Sequence, residues 1–369
     1  MPPEKGVLMA NESLAHGVME GRGAYNRYAK LPLGGAALAL PLWEKAVRSV
    51  RLDAGNEPVV IADYGSSQGK NSLVPMQVAV KVLRECLGAD RAISVFHIDQ
   101  PSNDFNTLFE VLAADPERYG LNDLNVFLGA IGRSFYELVL PAGSVHLGWC
   151  SYAAVWLSRI PALIPGHIVS FRAVDAVREE FERQAAHDWE TFLSLRAREL
   201  KAGARLVVLL PGVADDGSSG FENIMDQAND VLTEMVADGV ITAEERTRMV
   251  LGAHPRRKRD LLAPFGPGGH FENLMVEHLE IRELPDTAWI QYERDGNKEA
   301  LTTKHALFFR SIFMPSLLLA LCQVRADVAD VARSFGDCLE TKLKRRLTDQ
   351  PRAMHSLVQI LGLTKREQS

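Results

Sequence analysis

The sequence predicts an α/β fold, a doubly wound parallel sheet that carries a helical cap. Three observations point there. The apolar run Val59-Val60-Ile61-Ala62 stops at Asp63 and turns through small residues into a helical pattern. A second apolar run begins at Ala92 and stops at Asp99. Further short apolar runs then alternate with helix-like stretches, the rhythm of strands joined by crossover helices. Strands that end in acids and turn at once into helices build a ligand crevice at the carboxyl edge of an open sheet.

Each element follows in chain order. Residues 24–46 carry a helix-like pattern interrupted by Pro32, Gly34, Gly35 and Pro41, which reads as a lid segment. Residues 59–62 are the first strand, and residues 73–87 place apolar side chains at helical spacing up to Gly88. Residues 93–98 are the second strand, 106–114 a helix, 125–130 a third strand, and 132–138 the turn into another helix. A fourth strand is expected over 144–149, a short apolar helix over 153–158 stopped near Pro161, and a long amphipathic helix over 173–200. Residues 205–210 form a fifth, buried strand ended by Pro211-Gly212. Alternation over 271–284 and the run 356–361 give two further core strands. The expected units are a lid (1–45), an α/β core (46–212), a first helical cap segment (213–269), a core strand region (270–298), a second helical cap segment (299–350) and a C-terminal core strand (351–369).

Composition narrows the function classes. The 369 residues are 24% charged and 47% hydrophobic, with ample apolar surface for one sizeable core. A net charge of −6 gives no general attraction to nucleic acid or to an anionic membrane. Cys86, Cys150, Cys322 and Cys338 form no CxxC pair, so neither a zinc site nor a disulfide framework is expected, and Cys150 reads as a packed thiol. The start, Met1-Pro2-Pro3-Glu4-Lys5, has no apolar run of signal-peptide type, and a cytoplasmic location is the expectation. Residues 306–322 are interrupted by Arg310 and Pro315 and read as a buried helix, not a membrane span. The basic run Arg256-Arg257-Lys258-Arg259 reads as a solvated loop.

The glycine loop excludes the commonest phosphate binders. Gly65-Ser66-Ser67-Gln68-Gly69-Lys70 has three residues between its glycines where a P-loop needs four, and Asn71 follows the lysine. A dinucleotide fingerprint requires a glycine where Ser67 stands. An acid before such a loop suits a cofactor without a pyrophosphate, and S-adenosylmethionine is one. Two acids in one crevice suit its ribose and its ammonium group.

Taken together, the motifs resemble the SABATH carboxyl and N-methyltransferases over residues 20–210. Asp63, Gly65, Gly69 and Asn71 match that family's Asp-Leu-Gly-Cys-Ser-Ser-Gly-Pro-Asn-Thr loop. Ile98-Asp99-Gln100-Pro101-Ser102-Asn103-Asp104-Phe105-Asn106 is similar to its second loop, the most specific match. Arg133-Ser134-Phe135-Tyr136 resembles Gly-Ser-Phe-Tyr, and Cys150-Ser151-Tyr152-Ala153-Ala154-Val155-Trp156-Leu157-Ser158 resembles Ser-Ser-Tyr-Ser-Leu-His-Trp-Leu-Ser. The resemblance implies a Rossmann-like methyltransferase sheet, S-adenosylmethionine as cofactor and a homodimer. Asp63, Gly65, Ser66, Asn71, Asp99, Gln100, Ser134, Phe135 and Ser151 would bind the cofactor. Tyr25, Tyr152, Val155 and Trp156 would face the acceptor, with Trp156 the catalytic residue.

Two departures set the expected substrate. The family's acceptor-binding Gln is Pro32 here, and the histidine before its tryptophan is Val155. Both changes remove polar contacts, so a small or medium-chain apolar acid, a fatty acid by preference, is the expected acceptor, methylated on its carboxylate. The branch it resembles is that of bacterial fatty-acid O-methyltransferases. N-methylation of a heterocycle, a noncatalytic cofactor-binding protein and a nicotinamide-dependent oxidoreductase are the rival readings.

Overall fold

A computed structural model describes residue 17 and residues 19–121, 123–322 and 328–367. The stretch 1–5 and the side chain of Cys322 lie outside the described residues. The strands are β1 (Val59–Tyr64), β2 (Ile93–Asp99), β3 (Val126–Gly132), β4 (Val145–Ser151), β5 (Leu200–Val213), β6 (Arg256–Arg257), β7 (His270–Phe271), β8 (Leu274–Leu284) and β9 (Ser356–Lys365). The helices are α1 (Ala24–Tyr28), α2 (Lys30–Ser49), α3 (Leu73–Leu87), α4 (Phe105–Ala114), α5 (Asp175–Glu199), α6 (Glu222–Ala237), α7 (Ala243–Arg248), α8 (Lys258–Leu262), α9 (Thr287–Asp295), α10 (Lys298–Cys322) and α11 (Val328–Asp349).

The sheet order is β3-β2-β1-β4-β5-β9-β8-β7, with β6 beside the end of β5. Strands β1 to β5 run parallel, and β9 and β8 extend the sheet antiparallel. Both faces are covered, which explains the near-continuous apolar strands. Val59 and Ile61 pack with α2, α3 and α4, whereas Ala62 and Tyr64 face a core shared with α5, α6, α10 and α11. Asp104 caps α4 by accepting from the Thr107 amide (3.1 Å), and Gly88 ends α3 in a positive-φ conformation.

Several expected elements differ, each for a physical reason. Residues 30–49 are one helix and not a broken lid pattern: Pro32 sits in its first turn, where a missing N–H costs little, and Pro41 is carried within. Trp43 anchors that helix, donating to the Pro75 carbonyl at 2.8 Å and meeting Trp149 at 5.2 Å between ring centroids. The lid boundary expected at residue 45 therefore falls inside α2. No helix follows β3, because α5 side chains take up the backbone of 135–140. Arg196 donates to the carbonyls of Phe135 and Glu137 (both 2.9 Å), and Glu199 accepts from the amides of Val139 (2.7 Å) and Leu140 (3.3 Å).

Residues 153–158 are not a helix either. The amide of Leu157 donates to Gly252, that of His254 donates to Val155, and Trp156 forms a bridge to Ala253. The basic run is not a solvated loop at its start. Arg256 is 2% exposed, belongs to β6 and donates to the carbonyls of Ala154 (2.6 Å) and Ala185 (2.9 Å), while Arg259 is exposed. Helix α10 is long and apolar enough to cross a membrane by length and composition, yet 61% of that stretch is buried inside the protein. It packs on α11, which packs on α6, and these three form the cap over one face.

Candidate active site

A cleft of about 1150 Å³, counting its open mouth, lies at the carboxyl ends of β1, β2, β4 and β5. The strand order reverses between β1 and β4, the point where open α/β sheets bind ligands. One end of the cleft is polar, with Ser67, Asp99, Gln100 and Ser151 in its wall. The other end is built from Leu31, Pro32, Val155, Trp156, Phe308 and Phe313.

At the polar end, Asp99 accepts from the amides of Ser67 (2.7 Å) and Gln100 (2.8 Å). Burial pushes its pKa up to about 6; the two amides act in the opposite direction, and the charge of Asp63 adds to the rise. Gly65 is required at the turn. Its φ is +86°, and a Cβ there would lie 2.0 Å from that of Ala153, so only glycine lets the loops after β1 and β4 close together.

The polar atoms left over at this end test the expected cofactor. The hydroxyls of Ser66 and Ser67 and the Gln68 carbonyl oxygen are buried without a partner among the described residues. Buried polar atoms of that kind normally have partners. Together with a carboxylate at the end of β2, they fit a ligand that offers hydroxyls and an ammonium group. S-adenosylmethionine fits these residues.

An N-terminal strap covers the cleft and brings in Tyr25. The strap is tied down from three sides. Gln68 donates to the Glu20 carbonyl at 2.6 Å, the amide of Arg22 donates to Asp104 at 2.8 Å, and Glu20 pairs with Arg310 of α10 at 3.2 Å. Asn71 donates to the Tyr25 hydroxyl at 3.3 Å. Burial raises the Tyr25 pKa well above its ordinary value, so it stays a neutral phenol.

At the apolar end Trp156 is 8% exposed and sits between Gly17, whose Cβ would meet the indole at 2.7 Å, and Phe313 at 6.2 Å between ring centroids. Its carbonyl accepts from the Tyr136 hydroxyl at 2.7 Å, which fixes the backbone. Its indole N–H has no partner among the described residues. The Tyr152 hydroxyl is buried and likewise unpartnered, and burial holds it protonated. Both side chains line the cleft, and neither donor has a partner among the described residues.

Of the residues read from the sequence, Tyr25, Gly65, Asp99, Gln100, Phe135, Ser151, Tyr152, Val155 and Trp156 line one cleft. Four are outside its lining. Asp63 accepts from Ser72 and from His97, Ser66 is buried in the turn, Asn71 reaches Tyr25, and Ser134 accepts from the Tyr136 amide at 3.2 Å. Cys150 is a buried thiol whose pKa burial pushes up to about 12, far from a nucleophile. The sequence reading missed Ser67, Tyr136 and the pair Phe221 and Met225 of the wall. The i, i+4 spacing of Phe221 and Met225 was a visible signal, although core packing gives the same spacing.

Known proteins share this architecture. The sequence model of the SAM dependent carboxyl methyltransferase family matches residues 14–359. Methyltransferase FUS9 of Gibberella moniliformis is 31% identical over 235 residues, covering 62% of this chain and 61% of that protein. The aligned stretch therefore spans less than two thirds of that relative. Salicylate carboxymethyltransferase of Clarkia breweri is 26% identical over 273 residues, 71% of this chain and 73% of that one. A solved structure of loganic acid methyltransferase with SAH superposes with a TM-score of 0.74 at 22% identity, covering 95% of this chain and 99% of that one, a likeness of fold.

Proposed function

Because the chain belongs to the SAM-dependent carboxyl methyltransferase family, we propose that it methylates the carboxylate of an apolar acid and releases the methyl ester. A small or medium-chain fatty acid is the preferred acceptor. The observation that carries this reading is the chamber around Trp156, where the Trp156 indole and the Tyr152 hydroxyl, without a partner among the described residues, are joined in the lining by Leu31, Phe308, Ile312 and Phe313. Pro32 and Val155 occupy the same wall, where the family resemblance led to a Gln and a His.

S-adenosylmethionine, when bound, supplies a methyl group on a sulfonium centre. Asp99, Gln100 and the Ser66 and Ser67 hydroxyls would hold it at the polar end. The acceptor needs no general base, since a carboxylic acid of pKa about 4 to 5 is already ionised near neutral pH. Trp156 and Tyr152 would hold one carboxylate oxygen and orient the other toward the polar end. Leu31, Phe308, Ile312 and Phe313 line the chamber and exclude water from that oxygen. Orientation of two reactants in this manner supplies roughly 7–11 kcal/mol.

A series of aliphatic and aromatic acids, each offered with S-adenosylmethionine, tests the acceptor class. Turnover of octanoate-like acids above that of benzoate-like acids supports the reading. Turnover of aromatic acids alone overturns the fatty-acid preference, and methylation of heterocyclic nitrogen with no ester overturns the carboxylate.

A further inference from the structure

We propose that His97 is a positioning residue for the cofactor: it fixes the Asp63 carboxylate so that its second oxygen meets the ammonium group of the S-adenosyl ligand. The inference rests on the methyl-donor reading above. His97 lies on β2 with no exposed surface, in a relay that runs Tyr119, His97, Asp63, Ser72. Its Nδ1 is 2.9 Å from Asp63 Oδ2. A bare nitrogen facing a carboxylate is repulsive, so Nδ1 carries a proton and donates. Nε2 then accepts from the Tyr119 hydroxyl, which burial keeps protonated.

The geometry assigns the two carboxylate oxygens different work. Oδ2 accepts from both His97 and Ser72 and is held in place. Both of those bonds fall on Oδ2 and none is formed to Oδ1 among the described residues, on a side chain that is 3% exposed. Asp63 stands two residues before Gly65, which lines the cleft, and its charge is felt at Asp99. Asp99 stands in the cleft lining and Asp63 just outside it, which would give one acid to each polar end of an adenosyl amino acid. A histidine that merely satisfied a buried acid would leave ligand selectivity untouched, and that difference can be measured.

Calorimetric binding of S-adenosylhomocysteine and of 5′-methylthioadenosine, which lacks the amino-acid end, separates the two roles. His97→Leu is expected to weaken S-adenosylhomocysteine about tenfold, the equivalent of one charge-assisted hydrogen bond, and to leave methylthioadenosine unchanged. His97→Gln, whose amide can donate to Asp63 and accept from Tyr119, is expected to restore most of the loss. Should His97→Leu fail to fold, Tyr119→Phe gives the same contrast in milder form. Equal weakening of both ligands, no weakening of either, or a glutamine variant no better than leucine overturns the inference. If the wild-type protein binds neither ligand, the methyl-donor reading itself fails.

Discussion

Gly35 and the Tyr152 hydroxyl occupy adjoining space, because a Cβ on Gly35 would fall 2.1 Å from that oxygen and 2.8 Å from two ring carbons. The glycine that looks like a helix breaker in sequence is therefore the seat of a donor in the cleft. Tyr152 itself is held at φ 58°, with its amide bonded to the Leu209 carbonyl at 2.8 Å.

Gly35→Ala is expected to lower stability by about 1–3 kcal/mol, the usual cost of overpacking, and to cut turnover by displacing the phenol. In that background Tyr152→Phe should return part of the stability, since it removes the oxygen and leaves the ring. Thermal denaturation of both single variants and the double one checks this. Strict additivity would contradict it.

Tyr152→Phe alone is expected to raise the KM for the acid about tenfold, as loss of a hydrogen bond to a charged group implies. Affinity for S-adenosylhomocysteine should not change if Tyr152 serves the acceptor, as proposed. Steady-state kinetics beside calorimetry separates the two, and a matching loss of cofactor affinity would remove Tyr152 from its assigned role.

Asp99 is expected to make cofactor binding pH-dependent. Burial pushes its carboxyl up from the ordinary value of 3.8 to about 6. The ionised form accepts ribose hydroxyls more strongly, so affinity should be full above about pH 7 and fall as pH drops through 6, approaching tenfold per unit. Stability moves in the opposite sense. A raised carboxyl pKa in the folded state means the unliganded protein loses stability as pH rises from about 4 through 6. Calorimetric titration across that window checks the first statement, and affinity that is flat below pH 6 would contradict it.

Arg256 is the structural member of the basic run. Arg256→Met is expected to cost about 2–4 kcal/mol, since it leaves the carbonyls of Ala154 and Ala185 without their buried donor. Arg259→Met should be nearly neutral, its side chain being 75% exposed. Equal effects in a melting experiment would refute the distinction.

Much of this was legible because local chemistry and fold agree. Asp63, Asp99 and the glycine loop mark strand ends, and the helix over 73–87 coincides with α3 to the residue. What was hidden depended on distant partners. The helix expected after the turn at 132–138 and the one expected over 153–158 are absent because Arg196, Glu199 and residues 252–254 take up the backbone groups there. Arg256 looks like its exposed neighbours until β6 pairs with β5. His97 reads as an ordinary strand residue until Tyr119 and Asp63 close on it. Pro32 and Val155 were legible as departures, and both lie in the cleft wall.

The most direct test of the account is mass-spectrometric detection of methyl esters after incubation with S-adenosylmethionine carrying a deuterated methyl group and a mixed panel of acids, beside Trp156→Ala. Deuterated methyl esters of aliphatic acids, lost in the variant while S-adenosylhomocysteine still binds, are the predicted result. Absence of any ester despite cofactor binding, or equal ester formation by Trp156→Ala, would contradict it.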